Sequence, residues 1–175
     1  MGIRNGPYEP DFPVGTWARI ASEVALAAFR AEWKWHDPLE VEQLAFAERV
    51  GLVSAVGYYH GGAELYELQG VPGLWHEACL SAVEPTVIDL SEVRTALALH
   101  ELLARQLRFP DYYGKNWDAF DECFGDPDAG TLPVVVRFVG WEALAQRLPH
   151  EAKLLRGCVE DGLADGVRCN VERAG

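Results

Sequence analysis

The chain has 175 residues and a formal net charge of −12. About half of the residues are apolar and a quarter are charged, so a soluble chain with its own core is expected, as one large domain or two small ones. The acidity disfavours direct binding to nucleic acid, whose phosphates need a positive surface. It suits either plain solubility or a basic protein partner.

The opening "MGIRNGPYEPDF" is polar and interrupted by Pro7 and Pro10, unlike the apolar centre of a signal peptide. No apolar run approaches the roughly 20 residues of a membrane span, so a cytoplasmic protein with no membrane attachment is expected. Cys79, Cys123, Cys158 and Cys169 form no CxxC pair, which predicts reduced, mostly buried thiols. His76 and Cys79 are a close ligand pair with no second half, and no phosphate loop or dinucleotide fingerprint is present, so neither metal nor cofactor is expected.

A change of character near Val83–Thr86 divides the chain into residues 1–85 and 86–175. In the first segment the run from Trp17 to Trp35 supports either helix or strand. A helix is predicted after Asp37 as N-cap, with Pro38 at its first position, Glu40 in a capping box, a stripe through Val41, Leu44, Ala45 and Val50, and Gly51 as its stop. Strands are predicted over Leu52–Tyr59, over "AELYELQG" after a turn at His60-Gly61-Gly62, and over Leu74–Val83. Together these make a small α+β domain.

In the second segment "TVIDL" reads as a buried strand. Ser91 is the expected cap of a helix through Leu97, Leu102, Leu103 and Leu107 that stops at Pro110. Another helix follows Asn116, then a strand over Leu132–Val139, helices in "WEALAQRL" and "EAKLLRGCVEDGLAD", and a last strand in "VRCNVER". Helices alternating with strands imply an α/β fold with a parallel sheet.

The stretch "FPDYYGKNWDAFDECFGD", Phe109–Asp126, interleaves rings with acids. Gly114 is expected to allow a backbone turn that other residues resist, and Asn116 is the expected N-cap. Steps of about 100° put Trp117, Phe120, Cys123 and Phe124 on one side and Asp118, Asp121 and Glu122 on the other. Each like-charge pair at i,i+3 or i,i+4 costs a few tenths of a kcal/mol, partly offset for Asp118 by the helix N-terminus. The pattern is either a plain solvated surface or a surface kept for a cation.

These residues resemble the barstar family's Pro-Glu-Tyr-Tyr-Gly-x-Asn-x-Asp-Ala-Leu-x-Asp-Cys signature, with matches at Pro110, Tyr112, Tyr113, Gly114, Asn116, Asp118, Ala119 and Cys123. The order of elements over 86–175 is also similar to that family's. The resemblance implies a three-stranded parallel sheet packed with helices, and an intracellular inhibitor, or immunity protein, that blocks a secreted guanyl-specific ribonuclease toxin. It also implies a protein binder and not an enzyme. The implied contact residues are Tyr112, Tyr113, Gly114, Asn116, Asp118, Asp121 and Glu122, with Glu122 in the place of the family's central aspartate. Asp161 and Asp165, one turn apart on a later helix and next to Glu160, align with a second acidic pair that steers the basic enzyme.

Three positions depart from the family. Glu122 is one methylene longer than aspartate, Asp121 replaces an interfacial tryptophan, and Lys115 replaces an acid. The partner implied is therefore a related nuclease toxin other than the standard one, or a non-nuclease protein bound by the same scaffold. Two further readings compete. Cys123 with His100 could form a nucleophile pair, although the cysteine lies on the packed side of its helix. Residues 1–85, outside the resemblance, could hold a small enzyme site around His60 and His76.

Overall fold

The computed structural model describes residues 9–58, 63–126, 132–164 and 169–172. The chain divides into two compact units, residues 1–84 and 85–175.

In the first unit the Trp17–Trp35 run is both of its alternatives in turn. It forms strand β1 (Trp17–Ile20) and then helix α1 (Glu23–Glu32), where Ser22 caps the helix by accepting from the Ala25 N–H. Strands β2 (Val50–Tyr58), β3 (Glu64–Leu68), β4 (Val71–His76) and β5 (Leu80–Val83) complete a sheet of order β4-β3-β2-β1-β5. All of its pairings are antiparallel. Ile20, Leu26, Val53, Tyr66, Leu68 and Trp75 anchor the core. Pro72 sits in the edge strand β4, where a missing N–H is tolerated and discourages pairing with other chains.

Two predicted elements differ here. The helix expected from Asp37 to Gly51 is a short 3-10 run, Val41–Phe46, closed by a capping box between Glu40 and Gln43. Asp37 has φ 47°, a left-handed backbone, whereas an N-cap is extended. Gly51 lies within β2, where a Cβ would stand 2.9 Å from the Leu68 side chain, so the glycine serves close strand packing and ends no helix. The single strand expected over Leu74–Val83 breaks at a 3-10 turn, Glu77–Cys79, because β4 and β5 occupy opposite edges of the sheet. The His60 turn lies outside the described residues. His76 is buried and its Nε2 shares a 2.8 Å hydrogen bond with the Asp37 carbonyl oxygen, so packing accounts for it.

The sequence reading missed a carboxylate cluster in this unit. Asp11, Glu64 and Glu77 bring oxygens within 4.8 Å of one another. The buried Glu64 carboxylate accepts from the Asp11 N–H at 2.9 Å and from the Tyr66 hydroxyl. Burial, together with the Glu64 and Asp11 charges, raises the Glu77 carboxyl above its usual range against opposing help from the Glu64 backbone and His76.

The second unit runs β6 (Thr86–Asp89), α2 (Ala96–Leu107), α3 (Trp117–Gly125), β7 (Val135–Val139), α4 (Trp141–Arg147), α5 (Pro149–Ala164) and β8 (Asn170–Glu172). The three strands are parallel in the order β6-β7-β8, with Val136 between Thr86 and Val171. Arg137 stands opposite Glu172 and donates to it at 2.7 and 3.0 Å, joining β7 to β8. Ile88, Leu99, Leu103, Phe120, Phe138 and Leu155 are fully or almost fully buried between sheet and helices.

Thr95, and not Ser91, caps α2: its hydroxyl accepts from the Ala98 N–H at 3.1 Å. Residues 90–93 form a turn that buries Leu90 and Val93, so the helix starts one turn later than the serine suggested. Ser91 instead donates from its N–H and hydroxyl to Asp89, which holds that carboxyl below its usual range. Gly140 links β7 to α4 at φ 78°, and a Cβ there would meet the Ser91 backbone nitrogen at 2.6 Å.

Two outcomes are expected. Gly140→Ala should destabilise the second unit by about 1–3 kcal/mol, from left-handed strain plus the clash with Ser91, read as a lower urea midpoint. Glu77→Gln should raise the melting temperature at pH 7. A carboxyl with a raised folded pKa favours the fold when protonated and loses that contribution as pH rises, so the gain should shrink as pH is lowered toward 4.5. An equal gain at both pH values would show that charge is not its origin.

Candidate partner-binding face

Helix α2 ends at Arg108, whose left-handed backbone (φ 58°) turns the chain into the loop before α3. The Tyr113 N–H donates to the Pro110 carbonyl, closing a tight turn. The left-handed residue later in this loop is Lys115 (φ 52°), and not Gly114. Gly114 eases close packing: a Cβ there would sit 3.1 Å from Asn116 Nδ2 and 3.4 Å from the Ala119 methyl. Asn116 then caps α3, its side-chain oxygen accepting from the Ala119 N–H at 2.8 Å.

The two neighbouring tyrosines part company. Tyr112 is 77% exposed, whereas Tyr113 is 7% exposed and belongs to the core. The Tyr113 hydroxyl shares a 2.5 Å hydrogen bond with Nδ1 of buried His100 on α2. The His100 ring also lies 4.7 Å from that of Trp117, whose indole N–H donates to Glu151 of α5 at 2.6 Å. One polar network thus ties α2, the loop, α3 and α5 together. Burial lowers the His100 pKa despite the opposing charge of Glu151. Burial likewise keeps the Tyr113 phenol protonated.

On α3, Phe120, Cys123 and Phe124 are buried and Trp117 is half-buried. Asp118, Asp121 and Glu122 are exposed. Helix α5 packs beside α3 and exposes Asp161. Burial raises the Cys158 thiol pKa, and the charges of Asp121, Asp161 and Asp118 raise it further. Glu122 lies about 100° further around α3 from Asp121 and acts, with Asp126, on Cys123. Asp118, Asp121, Glu122 and Asp161 make no ion pair among the described residues, and Lys115 is drawn to Glu101 at 3.0 Å. Asp165 lies outside the described residues. Glu160, adjacent to Asp161 in sequence, points to a different side of α5.

The Cys123–His100 pair does not form a nucleophile and base. His100 Nδ1 is engaged by Tyr113, and burial raises the Cys123 thiol above its ordinary value.

The network predicts a pH dependence. A histidine with a lowered folded pKa favours the fold when neutral, so stability present above pH 6.5 should be lost as pH falls below it. Urea unfolding between pH 7.5 and 5.5 should show this decline in the wild type and a flatter profile in His100→Gln. Superimposable profiles would assign the decline to other groups.

Among the described residues no helix is long and apolar enough to cross a membrane. No curated protein matches the chain. A family model described as Barstar (barnase inhibitor) matches residues 83–171, half of the chain, and these residues span the parallel sheet, the loop and the acidic helix. The chain belongs to the barstar family, a family of protein-binding inhibitors.

Proposed function

We propose that the chain is an intracellular inhibitor that blocks the active site of a basic ribonuclease toxin with α3 and the loop before it. The observation that carries this reading is four exposed carboxylates on neighbouring helices, Asp118, Asp121, Glu122 and Asp161, which make no ion pair among the described residues. A ribonuclease site is cationic because it holds RNA phosphates. Carboxylates on a rigid helix accept charge-assisted hydrogen bonds from the same arginines and lysines. In this reading Glu122 enters the pocket, Asp118 and Asp121 flank it, and Asp161, with Asp165, steers the approach. Tyr112 lies flat on the enzyme as an aromatic anchor. Tyr113, Gly114 and Asn116 act one step back, by holding the loop and the start of α3 in shape.

Lys115 supports a second reading, a barstar-fold binding module with a non-nuclease partner. It sets a cation, paired to Glu101, in the loop beside the acids. A partner that reads this loop closely needs an acceptor for it.

Pull-down from the native cell with wild-type and Glu122→Ala bait, followed by an inhibition assay on the captured protein, tests both readings. The wild type should capture a basic ribonuclease and inhibit it. Glu122→Ala should weaken binding by roughly a hundredfold or more, the scale of removing one member of a close interfacial charge pair, with an unchanged melting temperature. Association should slow as salt is raised. Undiminished inhibition by Glu122→Ala would remove the role given to that residue, and capture of a non-nuclease would favour the second reading.

A further inference from the structure

The carboxyl ends of β7 and β8 open onto a cavity of about 780 Å³. That is the size of a small-ligand site. Its apolar walls come from Phe138, Trp141, Val159, Leu163 and Val171. Steps of about 100° along α5 place Arg156, Val159, Glu160 and Leu163 on one side of the helix, opposite Cys158 and Asp161. The cavity and the acidic α3–α5 face therefore use different sides of α5.

Among the described residues, the charges that line the cavity do not cancel. Glu172 is taken up twice by Arg137. Arg156 lies over the Trp141 ring, 5.4 Å from its centre, and forms no ion pair with Glu160 one turn further on. Glu142 and Glu160 thus line an apolar-walled cavity with no cation in ion-pair distance among the described residues. Among the described residues that line the cavity, two exposed carboxylates without an ion pair outnumber one guanidinium, which favours a positive ligand.

We infer that this cavity binds an alkyl cation, an amine or guanidinium carried on an aliphatic stem. The stem lies against Val159, Leu163 and Val171, and the head donates to Glu142 and Glu160. Arg156, held on Trp141, covers one face of that ring and leaves the carboxylates to the ligand. A basic side chain of a partner protein and a free polyamine share this chemistry.

The test follows the Trp141 indole N–H resonance of the ¹⁵N-labelled full chain, assigned with Trp141→Phe. The probes are N-acetyl-lysine methylamide, N-acetyl-arginine methylamide, spermidine and the neutral N-acetyl-norleucine methylamide. Saturable shifts are expected with the cationic probes, at least tenfold weaker with the neutral one and in Glu142→Gln/Glu160→Gln. Tighter binding of the amino-acid amides names a protein side chain as the source, and tighter binding of spermidine names a polyamine. Absence of saturation, equal binding of the neutral probe, or undiminished binding by the double variant would overturn the inference. The wild-type comparison between norleucine and lysine amides stands even if the double variant fails to fold.

Discussion

Helix α3 must bury its rings, and the placement of its acids follows from that. Phe120 and Phe124 enter the core of the second unit completely, and Trp117 is fixed by its indole bond to Glu151. Each buried ring is worth about 1.5–3 kcal/mol. The repulsions of Asp118 with Asp121 and Glu122 each cost only a few tenths of a kcal/mol. The aromatic face therefore decides the rotation of the helix. Three carboxylates are held outward at a small penalty, with no ion pair among the described residues.

The loop before α3 is shaped from beneath. Tyr113 is drawn into the core by burial and by its bond to His100, and this turns the adjacent Tyr112 out to solvent. Gly114 leaves room for the Asn116 cap, and Lys115 accepts the left-handed backbone that completes the turn. The exposed residues of the loop owe their positions to the buried ones. A change at His100 or Trp117 would thus act on the proposed contact surface from beneath.

Helix α5 serves two surroundings at once. One side carries Cys158 and Asp161 at the junction with α3, while the other walls the cavity beyond β7 and β8. This explains why Glu160 and Asp161, neighbours in sequence, belong to different surfaces. An acidic run on a helix that looks like a single feature in the sequence is here split by helical periodicity.

Several local features were determined by the sequence alone, although the caps it suggested at Ser91 and Asp37 did not form. The ring–acid division of α3, the Asn116 cap and the alternation of strands and helices that demands a parallel sheet all follow from local periodicity and capping. The long, rigidly spaced motif around Tyr112 and Glu122 carried the family. Only the tertiary structure decided which tyrosine turns inward, since that depends on His100, thirteen positions before Tyr113. It also decided that α5, which carries Asp161, packs beside α3, that Gly51 serves strand packing, and that the Leu74–Val83 run divides between two sheet edges. In each case the deciding atom belongs to a distant part of the chain, and no local pattern encodes which neighbour folding will bring beside it.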